Sequence, residues 1–143
     1  MNTILRAFLI TLGILLPAYG HPGGEFNNDP EVAAWFRNLM RPDQGFTSTS
    51  CCGDSDAYWC DDISVKHGHV FCTITDTRDD GPLKRVHRPF GEVHEIPAEK
   101  MKFGPSDPQR KSASNPTGHA VIFLSSGQGS NAVVLCFVAN DGI

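Results

Sequence analysis

Apolar positions recur along this chain in two patterns, one with the period of a helix and one typical of buried strands. Between Asp29 and Pro42 the residues Val32, Trp35, Phe36 and Leu39 fall at i, i+3, i+4 and i+7. That spacing predicts a helix of about three turns with one apolar stripe. Its ends are marked in the sequence. Asp29 can cap the first turn, Pro30 suits the first helical position, Glu31 favours the positive end of the helix dipole, and Pro42 stops the run. So short a helix is marginal alone in water. Trp35, Phe36 and Leu39 are therefore expected to pack into a core.

The strand-like runs come later. Asp62–Lys66 and His69–Asp76 flank His67-Gly68, which reads as a hairpin turn. Gly91–Ile96 reads as a further short strand, followed by a turn or single helical turn at Pro97–Lys100. His119–Leu124 and Ala132–Val138 are continuous apolar runs. In the second, Val133, Leu135 and Phe137 would share one face and Ala132, Val134, Cys136 and Val138 the other. With both faces apolar, a central strand buried on two sides is expected, and Val133, Leu135 and Phe137 join the predicted core. Asp43–Tyr58 and Pro105–Asn115 are polar and read as loops. The sum is an α+β fold: a short N-terminal helix packed on an antiparallel meander of four to five strands, with room to curl into a partly open barrel.

The first twenty residues follow neither pattern. Arg6, the apolar run Ala7–Leu16 and the small-residue exit Ala18-Tyr19-Gly20 have the layout of a secretory signal peptide, and the run is too short to span a bilayer. The expected organisation is a signal at 1–20, a loose tail at 21–28 and one domain at 29–143, delivered to the periplasm or outside the cell. Cleavage would leave about 120 of the 143 residues, one domain by length. The net charge of −4 argues against nucleic acid as a partner, which wants a basic footprint. No second apolar run reaches membrane length.

Export would place the five cysteines in an oxidising compartment, where disulfides persist. Cys51 and Cys52 are adjacent, and neighbours strain a mutual bridge. They are expected to reach in two directions, one to Cys60 and the other to Cys136, with Cys72 left as the free thiol. The strand position of Cys72 would equally let it take the place of Cys60.

Candidate chemistry is sparse. Cleavage after Gly20 would make His21 the N-terminus, and an amine and an imidazole on one residue can chelate copper. Further ligands would come from His67, His69, His87, His94 and His119, of which His67 and His69, either side of Gly68, could converge near a hairpin tip. Asp54, Asp56, Asp61 and Asp62 match no calcium-loop spacing. Ser125, Ser126 and Ser130 lack the strand-to-helix setting of a nucleophile elbow. Lys84–Arg88 is the one basic cluster and reads as a solvated strand edge.

Four motifs together resemble a group of small exported alphaproteobacterial proteins with a vicinal Cys-Cys motif. They are Trp35-Phe36-x-x-Leu39-x-x-Pro42, Ser50-Cys51-Cys52, Asn115-Pro116-Thr117-Gly118-His119-Ala120-Val121 and Leu135-Cys136-Phe137-Val138. The resemblance covers most of the chain beyond the signal and implies export and a compact stapled fold, without an activity. The chain departs from the group in having Phe123 where a cysteine is expected and in having Cys72. The expectation for function is a non-enzymatic binding module with no cofactor, whose partner is a protein or a cell-envelope ligand. The alternative is a copper-binding or redox protein using His21.

Overall fold

A computed structural model of the chain describes residues 29–44, 49–51, 56–102, 115–127 and 131–140. The expected signal and tail, most of the Pro105–Asn115 loop, His21 and Cys52 lie outside the described residues.

The helix α1 runs Pro30–Asn38. The Asp29 carboxylate accepts hydrogen bonds from the backbone N–H groups of Glu31 and Val32, at 3.0 and 3.2 Å, and so satisfies two of the donors a helix start leaves open. Val32, Phe36 and Leu39 are buried, and Trp35 is half-buried against the same cluster. Phe36 meets Trp35 and Phe123 edge-on, with ring centroids 5.0 and 5.9 Å apart.

Among the described residues six strands follow: β1 (Ala57–Trp59), β2 (Asp62–Lys66), β3 (His69–Thr73), β4 (Val93–Ile96), β5 (Val121–Leu124) and β6 (Val134–Val138). A single helical turn, α2 (Asp80–Leu83), lies between β3 and β4. The strands form two antiparallel three-stranded sheets in the orders β1-β5-β6 and β2-β3-β4, rather than one meander, and neither closes into a barrel. The turn joining β2 to β3 is His67-Gly68, both with positive φ (52° and 83°), as a two-residue hairpin turn requires.

Side chains alternate across the first sheet and divide the core in two. Ala57, Trp59, Val121, Phe123, Cys136 and Val138 pack with α1. Tyr58, Ile122, Leu124, Val134 and Phe137 pack with Cys72 and Ile96 from the second sheet and with Ile74 just after β3. The first sheet is thus the middle of three layers.

This layering corrects two expectations. β6 is apolar on both faces because a layer covers each, yet it is an edge strand of its sheet; the central strand is β5. Its outer edge is met at Phe137, whose carbonyl accepts from Lys102 N at 2.8 Å. Second, Val133 is not core but 55% exposed. The register slips between Phe123, opposite Cys136, and Leu124, opposite Val134. Leu135 is the extra residue of this bulge, and strict alternation fails there. Leu135, half-buried, accordingly packs on the helix side with Cys136, while Phe137 and Val134 face the second sheet. β1 was not expected at all. It begins at the end of what reads as the polar loop Asp43–Tyr58 and runs one residue beyond it.

Two disulfides cross the layers. Cys51 bonds Cys136, 85 residues away, and ties the segment after α1 to β6. Cys60 bonds Cys72, 12 residues away, and joins the end of β1 to β3 across the two sheets. Cys72 is therefore not the free thiol, and Cys60 does not use the vicinal pair. The reason is geometric: β1 belongs to one sheet and β3 to the other, and the bridge spans the interface between them. Among the described residues no helix is long and apolar enough to cross a membrane.

Candidate functional site

The connection from β3 to β4 carries most of the buried charge. Asp76 is buried, with its side chain 1% exposed. Its carboxylate accepts from Trp59 N (3.1 Å), Arg78 N (2.9 Å), Arg78 Nη2 (2.7 Å) and Arg85 Nη1 (2.7 Å). Burial alone would raise this carboxyl, but the hydrogen bonds from Arg78 and Arg85 outweigh it and hold Asp76 well below the usual carboxylate range. Arg85 also donates to Asp80 at 2.5 Å, and Asp80 lies 2.7 Å from His87 Nδ1. The guanidinium of Arg78 stacks over Trp59 and that of Arg85 over Tyr58. Lys84–Arg88 is accordingly no solvated strand edge. Arg85 and Arg88 turn inward because each finds a carboxylate and carbonyls there.

Arg88 leads to the site itself. Its guanidinium donates to the carbonyls of Ser125 and Gly127 in the connection between β5 and β6 and lies 3.5 Å from Glu92. Residues Pro89 to Glu92 then form a tight turn, closed by Glu92 N donating to Pro89 O at 3.1 Å, with Gly91 at φ 88° in the position that demands it. Phe90 occupies the corner of that turn and is 70% exposed. Val93, the first residue of β4, is 58% exposed.

These residues border an open groove of about 940 Å³. One wall is His87 and Pro89 through Glu95; the other is Ala132, just before β6, and Val134 of β6. His94 Nε2 lies 3.0 Å from Glu92 Oε1, close but not aligned as a hydrogen bond. Burial pushes the His94 imidazole down, Arg88 adds to that, and Glu92 opposes it. The groove thus joins exposed apolar side chains to a few fixed polar ones, as recognition surfaces do.

A second polar cluster lies across Trp59. His119 stacks on the indole with centroids 4.7 Å apart, and its Nδ1 is 2.8 Å from Asp61 Oδ2. The other Asp61 oxygen accepts from Ala120 N. Asn115 orders the approach to His119 by donating to the His119 and Ala139 carbonyls and accepting from Thr117. A carboxylate-oriented histidine suits acid–base work, but no Ser, Cys or Lys meets His119 among the described residues.

Of the histidines expected as ligands, His67 sits in the exposed hairpin turn and His69 pairs with Glu95 at 2.6 Å. Among the described residues no three His, Cys, Asp or Glu side chains come together as a metal site. The groove was missed in the sequence. Its one signal is Pro89-Phe90-Gly91, a large apolar residue between two turn formers, where no core position is available. Against known proteins, no family model, curated protein or solved structure matches the chain.

Proposed function

We propose that the chain is an exported, non-enzymatic binding module that holds a protein partner in the groove between the Pro89–Glu95 wall and Ala132–Val134. The observation that carries this reading is the clustering of exposed apolar side chains at one place. Phe90 and Val93, both exposed, stand on one wall and face Ala132 and Val134 on the other. Single exposed apolar residues are ordinary, whereas several around one concavity mark an interaction site. Two disulfides in a chain of this size support an oxidising location. The buried charges nearby are engaged with one another and shape the wall.

The test is site-specific photocrosslinking in the producing cell. Phe90→p-benzoylphenylalanine should give a discrete adduct. The same replacement at Val65, exposed on the β2–β3 hairpin, should not. Ala132→Phe, which fills the groove, should abolish the adduct. Equal adducts from both positions, or none from Phe90, would refute the reading.

A further inference from the structure

Among the described residues β4 is an edge strand, and Val93 to Glu95 line the groove. Which backbone groups face outward follows from the pairing. Ile74 N donates to Glu92 O at 2.8 Å, and the register continues through Cys72 opposite His94 and Val70 opposite Ile96. Antiparallel pairs alternate between bonded and non-bonded. His94 and Ile96 therefore bond to β3, while the N–H and C=O groups of Val93 and Glu95 point away from the sheet. Among the described residues no strand meets them.

Side chains set the chemistry a new strand must carry. One face of a strand laid along β4 would rest over Ala132, Val134 and Phe90, which is apolar. The other would lie on the outer face beside Val93 and Glu95. Glu95 touches His69 on its inner flank and stays half-exposed. The residue placed opposite it on an added strand is best a cation, since opposite charges across a strand pair attract.

We infer that the occupant of the groove is an extended segment of a partner protein. It adds to β4 through the Val93 and Glu95 backbone, apolar on its inner face and carrying lysine or arginine opposite Glu95. This rests on the groove being the binding site and goes further, to the mode of binding and the partner's chemistry.

The probes are three fluorescein-labelled peptides, titrated by anisotropy with the oxidised, exported protein. SVKVKVS alternates apolar and cationic residues, SVEVEVS reverses the charge, and SVVVKKS keeps the first composition without the alternation. Only SVKVKVS should bind saturably. Because Val93 and Glu95 would bond to the residues opposite them, N-methylation of the lysine amides should abolish binding, and N-methylation of the valine amides should not. Val93→Pro removes an outward N–H, which an edge strand tolerates. It should weaken binding about tenfold or more, and Val93→Thr about twofold or less. Glu95→Lys should move the preference to SVEVEVS.

The inference is overturned if no peptide binds, if the acidic or scrambled peptide binds wild type equally, or if the N-methyl-lysine peptide matches its parent. A concentration-dependent dimer in sedimentation, dissolved by Val93→Pro, would also overturn it, in favour of two copies pairing at this edge. A Phe90 adduct lost in Ala132→Phe but kept in Val93→Pro would leave the groove as binding site and remove strand addition alone.

Discussion

Cys51 and Cys136 are bonded across 85 residues of sequence, and so fasten the segment after α1 to the edge strand β6. A cross-link stabilises chiefly by restricting the unfolded chain, in a model where longer loops count for more. Replacing both residues with alanine should cost about 4–5 kcal/mol, against about 3 kcal/mol for the 12-residue Cys60–Cys72 bridge. Urea denaturation of the two double variants checks the order. Non-reducing peptide mapping should recover these two linkages, and the denatured, unreduced protein should react with about one equivalent of thiol reagent, at Cys52.

Asp76 is the second point of failure. Its carboxylate holds Arg78, Arg85 and the backbone of Trp59 together. Asp76→Asn should cost about 3–5 kcal/mol, because removing one partner strands buried charges. The pH dependence has a definite sign. The Asp76 carboxyl titrates lower in the folded chain than unfolded, so its stabilisation is present above the unfolded value of 3.8 and declines as pH falls below it. The stability gap between wild type and Asp76→Asn should be constant near neutrality and narrow below about pH 4.

His94 acts in a different window. Its folded pKa is lowered, so the folded state resists protonation. Stability should fall as pH drops through the ordinary value of 6.5 toward the folded one. His94→Gln cannot titrate and should flatten that part of the stability curve, read as melting temperature against pH. Parallel curves for the two proteins would show that His94 is not the group involved.

Phe36 is buried between α1 and the first sheet, in edge-on contact with Phe123. Phe36→Ala should cost about 3–5 kcal/mol. Trp35→Ala should cost less, since Trp35 is only half-buried. Denaturation of both variants would reveal any reversal.

How far the sequence shows this fold depends on how local the determinants are. α1 is visible because its cap, its Pro30 and its stripe all lie within a dozen residues. The β2–β3 hairpin is visible because His67-Gly68 dictates its own turn. β1 is not, since three residues buried on both sides show no alternation. The rank of β6 within its sheet is not either, because two apolar faces report the layers above and below a strand and say nothing of its lateral neighbours. The inward turn of Arg85 and Arg88 depends on Asp76, Asp80 and the Ser125 and Gly127 carbonyls, which sequence distance hides. The groove inherits that invisibility, because its walls come from different sheets.

Arg88 reaches from the Pro89–Glu92 wall to the Ser125 and Gly127 carbonyls, and Ser125 is in turn bonded to the backbone of Val133, between the far wall's Ala132 and Val134, through Ser125 N to Val133 O and Val133 N to Ser125 Oγ, each 2.9 Å. The separation of the two walls is therefore gauged by the length of one side chain. A shorter cation at this position would draw the walls together or let go of the carbonyls, so the caliper of the groove resides in a residue that does not line it.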